Sequence, residues 1–407
     1  MATGRRSIFA RLAHALAWTG FAACILVALA WWYCEPATPD AFYSRVSDPA
    51  APAGTLIASE PFTRDVPDNA RAWRILYATT RSDNAPAVAS AIVMVSRQPV
   101  AGNRPVIAWA HGTTGIAAGC APSVVEHPFE NVPALQPLLD AGWAYVATDY
   151  IGLGAQDATQ SGHAYLVGDE AARGVLDAVR AARRMGEPKL DDKLVVWGHS
   201  QGGHSALWAG MRAPDYAPEL KLAGVAALAP ASDLGELVED GRSTILGKIV
   251  SAYVMHAYSA AYLDVRPGDY MGWWSRTLAG DIARRCLGGK ETLFSVAETA
   301  LMPRGGAFSQ DAASGPLGAR LEQNTPRGPI AAPLLVAQGE DDDAVLPRMQ
   351  QAYVKSRCAA GQPVDFLSYP GIGHLSLVAE GSPLTADLMA WTRDRFAGAP
   401  PAPGCVD

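Results

Sequence analysis

Charged side chains are scarce in this sequence. They make up 18% of its 407 residues, and the balance is acidic, with a formal net charge of −7. No cluster of Lys and Arg falls on an aromatic-rich segment, so the electrostatic footprint of a nucleic-acid binder is missing. An ordinary solvated acidic surface accounts for the surplus. Internal repeats are lacking, and low complexity is confined to Pro/Ala-rich ends. There is no P-loop, no G-x-G-x-x-G after a strand and no H-E-x-x-H. No C-x-x-C pair suggests zinc or redox chemistry. The sequence therefore calls for no metal and no organic cofactor. What it does have is apolar surface to bury. Hydrophobic residues make up 49%, which implies a sizeable core. The length suits one large α/β domain with an insertion, or two ordinary domains.

The amino terminus stands apart. Arg5, Arg6 and Arg11 precede an apolar run from about Ala13 to Tyr33, long enough to cross a bilayer. Basic residues before it, with Glu35 and Asp40 after it, place the remainder outside the cytoplasm. Two readings of residues 1–34 stand side by side. Ala28-Leu29-Ala30 resembles a signal-peptide cleavage site, whereas Trp31, Trp32 and Tyr33 would make the interfacial belt of an uncleaved anchor. Either reading exports the bulk of the protein, with membrane association through this segment in the second. Cys24 and Cys34 belong to the apolar segment or its edge. The body holds Cys120, Cys286, Cys358 and Cys405. An even number in an exported protein suggests two disulfides, with all three pairings of four cysteines open.

Residues 35–54 are rich in Pro and Ala and read as a linker. Strand-like runs follow at Ala72–Thr80, Ala87–Val95, Val106–Ala110, Ala144–Thr148, Leu194–Trp197, Leu222–Leu228, Leu334–Gln338 and Val364–Tyr369. The later ones alternate with helix-like segments such as Glu170–Arg184, Ser205–Met211, Arg348–Arg357 and Leu384–Phe396. Continuous Val/Leu/Ala strands between amphipathic helices predict an α/β fold. Its mostly parallel, eight-stranded sheet is flanked by helices and has an antiparallel start. The alternation stops over residues 231–327, which read as helices with Tyr253, Tyr258, Tyr262, Tyr270, Trp273 and Trp274. We expect this stretch to be a cap inserted after the sixth strand, over a core formed by residues 55–230 and 328–407.

One short stretch carries the chemistry. Leu194–Leu207 reads LVVWGHSQGGHSAL, with Gly198-x-Ser200-x-Gly202 where a buried strand meets a helix. This is the nucleophile-elbow pattern. Glycines two before and two after the serine remove side chains that would collide in a very tight turn, and the helix offers its positive end to developing negative charge. A serine hydroxyl needs a base, and the base needs an orienting acid. In α/β hydrolases they follow in the order Ser, acid, His. Gly339-Glu340-Asp341-Asp342-Asp343 follows one late strand, and Pro370-Gly371-Ile372-Gly373-His374 follows the next. We take Ser200, Asp342 and His374 as the candidate triad, with Asp341 or Asp343 as alternative acids. The oxyanion donors expected are the N–H of Gln201 and one from the loop His111-Gly112-Thr113-Thr114-Gly115, at Thr113 or Gly112. Of the other histidines, His111 and His199 are expected to shape loops at the site and His204 to lie on the following helix. His127, His163 and His256 have no partner that the sequence names.

These motifs in combination resemble a known family. WAHGTTGIAAGCAPS (Trp109–Ser123), ATDYIGLG (Ala147–Gly154), HAYLVGDEAARGVLDAVRAAR (His163–Arg183), VVWGHSQGGHSALWA (Val195–Ala209) and LLVAQGEDDDAVLP (Leu334–Pro347) are similar to the secretory lipases, the fungal lipase A type and its bacterial relatives. The similarity spans about Pro52 to the carboxyl terminus. It implies an α/β-hydrolase fold, a helical cap and serine-dependent hydrolysis of carboxylic esters, with an ester or lipid as substrate. It also implies disulfides Cys120–Cys286 and Cys358–Cys405. Two other functions fit the same residues less fully. One is an amidase or peptidase on this fold, and the other is a non-catalytic binding protein that kept it.

Overall fold

The computed structural model describes residues 2–45, 51–155, 162–401 and 405. A long helix, α1 (Ala2–Tyr33), leads into nine strands: β1 (Leu56–Phe62), β2 (Ala70–Thr80), β3 (Pro86–Ser96), β4 (Arg104–Ala110), β5 (Ala144–Ile151), β6 (Leu190–His199), β7 (Lys221–Leu228), β8 (Leu334–Gly339) and β9 (Val364–Tyr369). Eleven further helices are α2 (Leu135–Asp140), α3 (Gly168–Arg183), α4 (Gln201–Tyr216), α5 (Leu234–Gly241), α6 (Ile245–Ala261), α7 (Pro267–Tyr270), α8 (Trp273–Ile282), α9 (Thr292–Leu301), α10 (Gly315–Asn324), α11 (Pro347–Ala359) and α12 (Leu384–Ala397). The strands form one sheet in the order β1-β2-β3-β5-β4-β6-β7-β8-β9. Pairing is antiparallel from β1 to β5 and parallel from β5 onward.

The α/β class expected from the sequence is borne out, but the sheet has nine strands rather than eight. The missed strand is β1, LIASEPF, an edge strand that only Phe62 anchors as a fully buried residue. An edge strand open to water needs no apolar run, so it carried no hydrophobic signal. The helical insertion therefore follows the seventh strand, not the sixth. Side chains alternate between the two sheet faces. Val106, Ala108, Leu194 and Val196 pack in the cluster that contains α3, α4 and α11. Their neighbours Ile107, Trp109, Val195 and Trp197 pack in the cluster with α2 and α12. Within the 35–54 stretch, Phe42 and Tyr43 are buried, and the Tyr43 hydroxyl bonds to the Ser123 carbonyl at 2.9 Å. That part of the expected linker is docked on the core.

Between β7 and β8, helices α5 to α10 enclose a second apolar cluster that includes Ile249, Tyr253, Tyr258, Ile282 and Leu317, together with Tyr165 and Leu166 of the core. Both disulfides implied by the family resemblance are present. Cys120–Cys286 ties this block to the loop after β4, and Cys358–Cys405 ties the tail to α11. Beside Cys286, the buried Arg285 guanidinium is paired with Asp281 and with Glu298 at 2.8 Å. Burial and the Asp281 carboxyl together push Glu298 up to about 8, against the charge of Arg285. Folded Glu298 thus holds a proton that the unfolded chain releases near its ordinary value of 4.5. Glu298's own contribution to folding stability therefore falls as pH rises between those two values and is constant outside them. Glu298→Gln should flatten this slope. Melting temperatures measured from pH 5 to pH 8 should decline less in the variant than in the wild type, and parallel curves would contradict the assignment.

Candidate active site

The turn after β6 has no space for side chains on its flanks. A Cβ on Gly198 would lie 1.9 Å from the Gly202 carbonyl oxygen, and one on Gly202 would lie 1.9 Å from that of Ala110. Both overlaps are with backbone, which cannot swing aside. The residue between them absorbs the bend. Ser200 has φ 58° and ψ −118°, a region that costs a non-glycine residue about 1–3 kcal/mol. The strain is held by the Ser200 N–H donating to Leu228 O at 2.9 Å, and by Ser200 O accepting from His204 N–H at 3.1 Å and Ala231 N–H at 3.2 Å. Gln201 opens α4, so its N–H has no acceptor within the helix.

Asp342 follows β8 and is buried, whereas Asp341 and Asp343 beside it are exposed. Its Oδ2 accepts from His374 Nδ1 at 2.7 Å and from Gln338 Nε2 at 3.0 Å. Its Oδ1 accepts from the N–H groups of Ala344 at 2.9 Å and Val345 at 2.8 Å. Burial alone would raise its pKa, but the bond and charge of His374 and the two backbone donors outweigh it and hold the carboxyl below its ordinary value. Of the three consecutive aspartates, Asp342 is the one the structure joins to His374.

His374 lies in the loop after β9, at the same carboxyl rim of the sheet as the elbow. With Nδ1 tied to Asp342, its Nε2 has no hydrogen-bond partner among the described residues, and neither has the Ser200 hydroxyl. Such bonds are often completed only when substrate binds. What joins the two loops is His199. Its Nε2 donates to His374 O at 3.0 Å, and the two rings lie 4.6 Å apart. Burial, with the neighbouring His374, pushes His199 down to about 3, so it stays neutral. Across from Ser200, a Cβ on Gly112 would be 3.7 Å from Ser200 Cβ, so the loop expected to supply the second oxyanion donor runs alongside the serine. That loop is tied down on its far side. The Thr113 hydroxyl bonds to the Tyr165 hydroxyl at 2.8 Å, Leu287 N–H donates to Thr114 O at 2.8 Å, and Gly115 bridges to Cys286.

Sequence reasoning missed one residue under the site. His163 is buried, with Nδ1 donating to Ile151 O at 3.0 Å and Nε2 accepting from Gln201 Nε2 at 2.8 Å. Its ring stacks on Tyr150 at 5.5 Å, and burial lowers its pKa to about 3. It reaches the elbow from an irregular segment, where no periodicity could flag it. The other histidines lie elsewhere. His204 bonds to Asn324 O from α4, and His127 is exposed beside Asp65. His111 bonds to Gly112 O at the start of the loop, and His256 sits on α6. Among the described residues, no group of three or more His, Cys, Asp or Glu could hold a metal ion.

Comparison with known proteins finds relatives by sequence and by fold. The family model for secretory lipase matches residues 129–302. Lipase A of Moesziomyces aphidis is 26% identical over 193 residues, covering 46% of this chain and 41% of that protein, so the match spans less than half of the fungal enzyme. A protein of Mycobacterium tuberculosis described as a probable inactive lipase is 25% identical over 371 residues, covering 85% of this chain and 79% of its own. The closed-state structure of Candida antarctica lipase A superposes with a TM-score of 0.73 at 22% identity, covering 90% of this chain and 87% of that one. The chain is similar to the secretory lipases over residues 129–302, and its fold is that of the α/β hydrolases.

The backbone strain at Ser200 can be measured. Glycine adopts its angles without penalty, so Ser200→Gly should be about 1–2 kcal/mol more stable than Ser200→Ala by denaturant unfolding. Equal stabilities would mean that the serine is not strained.

Proposed function

We propose that this relative of the secretory lipases is an exported serine esterase or lipase that hydrolyses carboxylic esters, of acylglycerol type, through an acyl-enzyme on Ser200. The observation that carries the reading is the 2.7 Å bond from His374 Nδ1 to the buried carboxylate of Asp342. It leaves Nε2 unpaired at the rim where Ser200 is presented. A carboxylate in that position fixes the tautomer and stabilises the imidazolium once it forms.

In the proposed reaction Ser200 Oγ attacks the ester carbonyl and His374 Nε2 takes the hydroxyl proton. The oxyanion is received by the Gln201 N–H and by the Thr113 or Gly112 N–H, with the positive end of α4 behind them. His374 then protonates the leaving alcohol. In the second half, water deprotonated by the same imidazole releases the acid and restores the serine. His199 and His163 stay neutral and hold the base and Gln201 in place. Helices α5 to α10 act as a cap over the acyl chain. Asp342 and His374 lie outside residues 129–302, so their roles rest on the geometry alone.

The experiment is a rate series on nitrophenyl esters of increasing chain length, wild type beside Ser200→Ala, with fluorophosphonate labelling of both. We expect the variant to lose about 10⁴-fold or more of kcat/KM, and the probe to label only the wild type. Equal labelling of both proteins would remove Ser200 from its role. Activity on aminoacyl amides exceeding that on esters would transfer the reading to an amidase. A folded wild type that neither turns over esters nor takes the probe would favour a binding protein.

A further inference from the structure

Helix α9 is inverted. A surface helix ordinarily turns polar residues to water and apolar ones inward. Here Ser295, Glu298 and Thr299 are buried, with Glu298 on Arg285 and the Thr299 carbonyl accepting from the buried Lys248 ammonium at 3.0 Å. The outward face is Leu293, Ala297, Ala300 and Leu301, with the two leucines 70% and 61% exposed. The first turn of α8 extends this face with Trp273 and Trp274, which are 70% and 44% exposed. The indole N–H of Trp274 donates to Leu301 O at 3.1 Å, joining the two helices. Contiguous exposed apolar surface of this kind marks an interaction site rather than chance.

Two observations identify what covers it. The first is continuity with α1, whose His14–Tyr33 portion, 20 residues of mean hydropathy 1.8, is long and apolar enough to cross a membrane. Its last turn is seated on the root of α9. Trp31 meets Phe294 at 5.7 Å between ring centres, and Arg285 lies over both rings at 4.1 and 5.3 Å. The Lys290 ammonium stands 4.1 Å from the centre of the Tyr33 ring. The second is charge. Between Val265 and Arg304 the exposed ionic residues are Arg266, Arg276, Arg284, Lys290 and Arg304, against Asp269 and the half-buried Glu291. Arg284 is paired with Asp281 at 2.6 Å, and the other four cations still outnumber the two acids in this stretch, in a chain whose net charge is −7. An apolar face with a basic rim and tryptophans at its edge suits an anionic bilayer surface.

We propose that the outer face of α9, the tryptophans of α8 and the aromatic end of α1 form one docking surface that seats the protein on an anionic lipid bilayer. The patch lies close in the chain to the site, since Leu287 N–H bonds to Thr114 O and Cys286 bridges to Gly115. Docking does not depend on the hydrolase reading. Joined to that reading, it makes the substrate an ester resident in the bilayer.

The test uses the full chain in a Cys24→Ser background, with Ala297→Cys carrying an environment-sensitive fluorophore. The other free thiol, Cys34, is buried. An Asn103→Cys label before β4, at the opposite rim of the sheet, is the control. In phosphatidylcholine–phosphatidylglycerol vesicles the label at 297 should shift to the blue and lose at least half its emission to nitroxide-bearing lipid, while the label at 103 does neither. A label at 297 that stays as open to iodide as the one at 103 would overturn the proposal. So would self-quenching between labelled copies without quenching by lipid, which would assign the face to a second copy of this chain. Leu293→Asp, an exposed substitution that should leave the fold intact, is expected to lower turnover of a vesicle-borne ester several-fold and spare a soluble one. An enzyme inactive on both esters, with the fluorescence result intact, would sink the hydrolase reading and leave the docking standing.

Discussion

At Gly198 and Gly202 the chain passes so close to neighbouring backbone that a single methyl group would overlap a carbonyl oxygen. This steric constraint comes before any chemistry. It forces the bend into Ser200, whose torsion angles are ones a side-chain-bearing residue avoids. The bend is sustained because parallel strands on both sides fix the ends of the turn and β7 supplies the acceptor for the Ser200 N–H. One face of the turn then presents a hydroxyl and the other opens a helix, whose first N–H groups have no partner of their own.

Around this strained point the polar groups are almost fully committed. Asp342 accepts from an imidazole, an amide side chain and two backbone N–H groups, so the carboxylate cannot turn away from His374. His199 ties the backbone of His374 to the residue before the serine, and His163 ties the side chain of the residue after it. Both histidines stay neutral because burial opposes their charge, so they act as fixed donors and acceptors at neutral pH. The loop bearing Gly112 and Thr113 is held by Cys286 and Leu287 of the helical insertion and by Tyr165 of the core. The helical insertion and this loop are therefore one mechanical unit.

Much of this was legible in the sequence, for physical reasons. Buried parallel strands read as continuous apolar runs, and the elbow's glycines stand at fixed offsets from the serine. The chain order of serine, acid and histidine reflects which strands end on the rim. The places where reading failed are those where the signal is not local. β1 is an exposed edge strand, so LIASEPF shows no run. His163 reaches Gln201 from a loop without periodicity. The choice of Asp342 among three adjacent aspartates was not such a failure, since Asp342 alone of the three is buried and bonded to His374. Phe42 and Tyr43 sit in a Pro/Ala-rich stretch whose composition hid two docked side chains. Helix α9 is apolar on the side where water should be, a fact that neither composition nor periodicity reveals until its neighbours are in place.

The account joins a strained serine, an acid-bound imidazole and a row of unpaired N–H groups into one reacting centre. A crystal structure of the protein after reaction with an alkyl fluorophosphonate tests that union directly. It should show phosphorus bonded to Ser200 Oγ, a phosphonyl oxygen within hydrogen-bond distance of Gln201 N–H and a Gly112 or Thr113 N–H, and His374 Nε2 next to the ester oxygen. Phosphorus on any other residue, or on Ser200 with its oxygen turned away from those donors, would contradict it.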